Sequence, residues 1–151
     1  MINLLKVALL SILPISELRG GIPLGLALGM NPLLVYIIAV FFNFLSIPIT
    51  FFFLDNLHSY FLKNKHYSLL FTKYISRNRK KLEKAIGTKA EFWALMLVVL
   101  IPLPFTGAYT GTILAWFFGL KRKKAYLAIL LGILIAGIIV TLASLGVIAL
   151  I

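Results

Sequence analysis

The sequence predicts an all-α integral membrane protein with two transmembrane spans and two inverted re-entrant helical hairpins. Three observations predict it. Of 151 residues, 62% are hydrophobic, where a soluble domain averages under half, and the mean hydropathy is +1.05. Two long stretches carry no charge, whereas two others are interrupted at mid-length by prolines and glycines. The basic residues are gathered into two short runs.

The elements follow in order within one membrane domain, residues 1–151. Residues 1–31 form the first hairpin: a half-length apolar run, the break "PISELRGGIP", then a second short apolar run. Lys6 is the single basic residue of the first run and no clear small-residue cleavage site follows. Residues 1–13 are therefore expected to belong to the mature protein rather than to a signal peptide. Residues 32–54 are uncharged and long enough to span, since a crossing helix needs about 20 apolar residues. Pro32 suits a helix start. Pro48 should kink this span, with Asn43, Ser46 and Thr50 available to satisfy the freed backbone groups. Residues 55–90 are a basic linker, and residues 91–120 form the second hairpin, broken at "PLPFTGAYTG". Residues 121–151 supply the second span.

Charge placement selects hairpins over single crossings. Nine basic residues lie between 63 and 89, and four more form "KRKK" at 121–124. A single crossing by 91–120 would put these runs on opposite sides, while a hairpin keeps both on one side. Basic loops mark the cytoplasmic face, which favours the hairpin and places the linker inside a multi-pass cell-membrane protein. The first hairpin then opens from the outer face and the second from the inner face. Gly21, Gly25 and Gly29, and Gly107, Gly111, Ala115 and Gly119, echo this symmetry. Aligning the glycines gives an offset of 86, and aligning Pro14 with Pro102 gives 88. A third small-residue stripe, Ala128, Gly132 and Ala136, is read first as helix-on-helix packing and second as a dimer contact.

The linker alternates basic and apolar residues at helical spacing. It reads either as an amphipathic helix on the lipid surface, with Arg77, Arg79, Lys80, Lys81 and Lys84 at the headgroups, or as a solvated cytoplasmic loop. Nucleic-acid binding is set aside because topology accounts for the charge. With no cysteine and two histidines, no metal or cofactor is expected.

Glu17 carries the most chemistry. A charge at mid-membrane costs about 2.5 to 3.5 kcal/mol on insertion scales and commonly marks a proton relay or ion pathway. Arg19 could offset that cost, although positions i and i+2 of a helix face different ways. The alternatives are a static ion pair at the hairpin tip or a position near the interface. Half-helices present unpaired N–H groups and a positive dipole end at membrane depth. Second arms beginning near Gly21–Pro23 and Gly107–Ala108, beside Arg19, suit a phosphate or carboxylate. Pro14, Gly20, Gly21, Pro23, Pro102, Pro104, Gly107 and Gly111 shape the breaks. Thr106, Tyr109 and Thr110 could add hydroxyls. No zinc-type spacing, nucleophile elbow or phosphate loop is present, and Asp55, Glu83 and Glu91 flank the linker rather than join Glu17, so no enzyme is expected.

"PISELRGGIPLGLALGMNP" and "IPLPFTGAYTGTILAWFFGL" together resemble the family called putative small multi-drug export proteins, over nearly the whole chain. That family is regarded as a distant relative of the DedA membrane proteins. The resemblance implies a DedA-like pair of opposed re-entrant hairpins. It also implies proton-coupled movement of a polyprenyl-phosphate, phospholipid or other amphipathic substrate, or small multidrug export. Glu17 with Pro23 is similar to the acid and proline of the first DedA hairpin. The arginines usual in the second are missing, since residues 100–120 carry no charge. The leading expectation is a transporter or flippase with Glu17 as the protonatable switch and Arg19 as the anion contact. The others are a drug or ion exporter, and a non-transporting scaffold that binds anionic lipid. Two spans wall a site thinly, so a homo-oligomer is expected.

Overall fold

The computed structural model describes residues 2–61, 89–101 and 106–150, and every described element is helical. The order is α1 (Ile2–Ile12), α2 (Glu17–Ala27), α3 (Pro32–Phe61), α4 (Lys89–Leu100), α5 (Ala108–Phe117) and α6 (Arg122–Leu150). Two short helices and one long helix thus occur twice. The sites predicted at Pro102, Pro104, Arg77, Arg79, Lys80, Lys81 and Lys84 lie outside the described residues.

Two stretches are long and apolar enough to cross a membrane, Pro32–Leu57 and Arg122–Leu150. Large apolar side chains such as Phe41, Phe52, Leu127 and Leu142 are exposed on them. A soluble monomer does not leave apolar surface on this scale to water. Both features are those of a membrane protein.

Local chemistry sets the helix ends. Asn31 Oδ1 accepts from the amides of Leu33 and Leu34 at 2.9 and 3.3 Å, which caps α3 with Pro32 at its first position. The C-terminus of α2 closes with Gly29 N–H to Leu26 O and Met30 N–H to Gly25 O. The C-terminus of α5 closes the same way, with Gly119 N–H to Trp116 O and Leu120 N–H to Ala115 O. Both are Schellman caps, with Gly29 at φ 71° and Gly119 at φ 66°, the left-handed position glycine fills without strain.

These caps lie 90 residues apart, and the burial of α5 and α6 follows that of α2 and α3 at the same offset. On the first arms the match is 88: Val7, Ala8 and Ser11 are buried in α1, and Leu95, Met96 and Val99 in α4. Two residues are therefore added between the arms of the second half. That is why neither register read from the sequence, 86 or 88, fits the whole chain.

Close packing fixes the neighbours. Val7 lies against Gly25 and Ser11 against Gly21, so α1 and α2 run antiparallel. Tyr36 Oη donates to Leu134 O at 3.0 Å, and Arg122 pairs with Asp55 at 2.6 Å. The long helices are thus antiparallel, with Asp55 and Arg122 at one end. Aromatic contacts of Tyr126 with Phe44 and Phe51 fill the seam between them.

The stripe on α6 packs within the chain. Ala128 and Ala136 are buried, and a Cβ at Gly132 would lie 2.7 Å from Val99 Cβ and 3.0 Å from Met96 O on α4. Gly132→Leu is therefore expected to wedge α4 from α6 and cost about 1 to 3 kcal/mol or more, read as earlier thermal unfolding in detergent. A variant of unchanged melting but altered oligomeric state would make the stripe a dimer contact instead.

Candidate functional site

The site lies where the ends of the short helices meet. The turn 13–16 joins α1 to α2, with Pro14 exposed in it and Ser16 Oγ donating to Leu10 O at 2.6 Å. It delivers Glu17 to the first position of α2 at φ 49°. A non-glycine residue in this left-handed region is strained by about 1 to 3 kcal/mol, and such strain clusters at functional sites. Sequence reasoning put the second arm near Gly21–Pro23. In the structure it begins at Glu17, and Pro23 lies inside the helix.

The first-turn N–H groups of a helix have no partner within it. At α5 a carboxylate from the other half satisfies two of them. Glu17 Oε2 accepts from Ala108 N–H and Oε1 from Tyr109 N–H, each at 3.3 Å. The pairing joins a negative group to the positive end of a helix dipole. Glu17 is 5% exposed. Gly107 lets the carboxylate approach: its φ is 148° and ψ −163°, a region essentially reserved for glycine. A methyl on it would overlap the Glu17 carboxylate.

Arg19 points elsewhere. Its Nη2 donates to Ile101 O at 3.0 Å and to Thr106 Oγ1 at 3.2 Å, and Thr106 Oγ1 itself donates to Ile101 O at 2.7 Å. Tyr109 Oη makes the reciprocal contact, donating to Ile12 O. Each second arm thus sends a donor to the carbonyl end of the opposite first arm, where backbone acceptors lack helical partners. Gly20 is on α2 near Ser16, Gly21 packs on Ser11, and Gly111 packs on Val99.

Asn43 is the residue the sequence assigned differently. It was expected to satisfy backbone freed by Pro48. Ser46 does reach backbone, donating to Asn43 O at 2.6 Å, but the Asn43 amide faces Glu17 instead. It stops short of hydrogen-bond geometry, and neither its Oδ1 nor its Nδ2 has a partner. A buried unpaired polar group costs about 1 to 3 kcal/mol. The signal was available in the sequence: Asn43 lies 11 residues into the first span, about 16 Å along a helix and so at mid-depth.

Asp55 was also missed. Its Oδ1 accepts from Trp116 Nε1 at 3.0 Å and its Oδ2 from Arg122 at 2.6 Å. The Arg122 guanidinium also lies 5.0 Å from the Phe51 ring centroid. One half-buried acid therefore ties the C-terminal part of α3 to α5 and α6.

No curated protein and no solved structure matches the chain. The family model described as "Putative small multi-drug export protein" matches residues 17–139, from Glu17 itself to the middle of α6. The chain belongs to that family.

Proposed function

We propose that this family member is a membrane transporter for small amphipathic substrates, in which Glu17 is a proton-linked switch. The observation that carries the reading is the buried Glu17 carboxylate held on the amides of Ala108 and Tyr109. Protonation removes the charge that the α5 dipole attracts, and weakens the bond between the halves. The freed amides, beside Arg19, then suit an incoming phosphate or carboxylate. An amphipathic anion, lipid phosphate among them, competes with Glu17 for one set of donors. That competition couples substrate to proton.

The re-entrant geometry belongs to this reading. α1, α2, α4 and α5 have 10 to 12 residues each, too few for a crossing of about 20. We take each pair as a hairpin, one from each leaflet, with the 90-residue register as the trace of an inverted repeat like that of the DedA proteins. The Asp55–Arg122 end is then cytoplasmic, by the basic residues beside it. A homo-oligomer would complete the cover over the hairpin tips.

A second reading, small multidrug or ion export, is favoured by the family description, and Glu17 as a counter-charge suits hydrophobic cations as its probe. Liposome flux separates the two. A pH gradient should drive a lipid phosphate or amphipathic carboxylate, and a hydrophobic cation should move no faster than in empty liposomes. Cation flux alone would establish the second reading, and no flux of either class would remove both.

A further inference from the structure

Three faces meet the Glu17 carboxylate. Arg19 from α2 and Tyr109 from α5 are the titratable groups, and α3 contributes the neutral Asn43. Asn43 is 1% exposed, with both amide atoms unpartnered. Seven residues further along α3, the buried Thr50 Oγ1 is also unpartnered. Ser46, fully buried, lies between them. Spacings of three and four residues put the three on one face of the helix, in a row about 10 Å long. The row starts at Glu17 and runs toward the end of α3 where Asp55 holds Trp116 and Arg122.

Native proteins pair nearly all buried polar groups, and where no side chain does so an ordered water commonly does. Packing alone would be better served here by leucine or valine. The other half of the chain supplies the comparison. At the 90-residue register, Asn43, Ser46 and Thr50 correspond to Ile133, Ala136 and Val140 on α6. The long helices are antiparallel, so these apolar residues lead away from Glu17 toward the opposite face.

We infer that Asn43, Ser46 and Thr50 form a hydrated row connecting Glu17 to the Asp55–Arg122 end, while the corresponding row on α6 is dry. Glu17 in this conformation exchanges its proton with one side of the membrane only. The inference rests on the proposed role of Glu17. The Asp55–Trp116–Arg122 cluster stands at the mouth of the row, and Asn43 is the positioning residue that carries water to the carboxylate.

The chain has no cysteine, so single thiols can be read without background. Asn43→Cys, Thr50→Cys, Ile133→Cys and Val140→Cys would be reconstituted separately and exposed to a small membrane-impermeant methanethiosulfonate from each side, with Lys123→Cys marking the basic side. Thiols at 43 and 50 should react from the side that labels 123, at least about tenfold faster than those at 133 and 140, which face packed protein or lipid. Equal rates at the four positions, reaction from the opposite side, or reaction at 50 without 43 would overturn the inference. Asn43→Leu supplies a second test if a thiol variant fails to fold. A hydrated row predicts loss of pH-dependent flux in that variant, and retained flux with a higher melting temperature overturns it. Labelling at 43 and 50 in a protein whose flux survives Glu17→Gln would leave the row standing and remove the switch.

Discussion

Glu17→Gln is expected to abolish the pH dependence of transport while leaving a folded protein. The amide oxygen of glutamine can accept from Ala108 or Tyr109, but its NH2 cannot accept from the other. One helix-end N–H loses its partner, at a cost of about 1 to 3 kcal/mol. The substitution also removes the charge that α5 attracts, worth about 0.3 to 2 kcal/mol at a helix end. Losses of that size lower the melting temperature and still leave the packing of Val7 and Val35 on Gly25, and of Ser11 on Gly21, in place. Flux measured across a pH series should be flat in the variant. A folded Glu17→Gln protein with wild-type pH dependence would remove Glu17 from the mechanism.

Gly107→Ala is expected to have the largest effect on stability of any single methyl. Alanine at φ 148° carries about 1 to 3 kcal/mol of backbone strain. Its methyl also claims the space of the Glu17 carboxylate, which must then leave Ala108 and Tyr109 and stay buried without those donors. The combined loss is about 3 kcal/mol or more, and thermal unfolding in detergent should move down by roughly 6 to 12 °C. Gly111→Ala is the control, because its methyl meets the Val99 side chain and Ile129 rather than the carboxylate. It should lower stability without altering the pH dependence of flux. A Gly107→Ala protein with unchanged melting would mean that Glu17 does not sit against residue 107.

Most of the architecture was legible because it depends on composition and punctuation. Asn31–Pro32 reads as a cap, and the structure uses it as one. The uncharged runs read as long helices, and α3 and α6 cover them. The glycines of 107–119 read as the second arm, which does begin at Ala108. The start of α2 was misplaced because the glycines at 20 and 21 were read as the break. In the structure both lie within the helix, where Gly21 lets α1 approach. The break is instead Pro14 to Ser16, ended by the strained turn at Glu17. No propensity rule places a glutamate at positive φ. Only the α5 amides, 91 and 92 residues away in sequence, explain it.

The partners of the site were the harder part. Glu17 and Arg19 stood out as charges in an apolar segment, and a pair between them was the natural reading. The structure turns them to separate tasks, because each helix end in the opposite half of the chain needs something different: an acceptor at the N–H end of α5, and a donor at the carbonyl end of α4. A helix-end anion site was foreseen, yet its occupant was taken to be a ligand rather than the protein's own carboxylate. Asn43 was treated as backbone support for Pro48 because nothing local distinguishes it from Ser46. Its meaning comes from its level along α3, which puts it beside Glu17.

The bond between Glu17 and the start of α5 can be observed directly. In isotope-labelled protein held in lipid nanodiscs, the amide signals of Ala108 and Tyr109 should move together through one titration step as pH changes. That step should vanish in Glu17→Gln, with distant amides such as those of Leu33 and Leu34 unaffected. Amides at 108 and 109 that ignore pH in the wild type, or that titrate identically in the variant, would contradict the contact on which the proposed transport cycle rests.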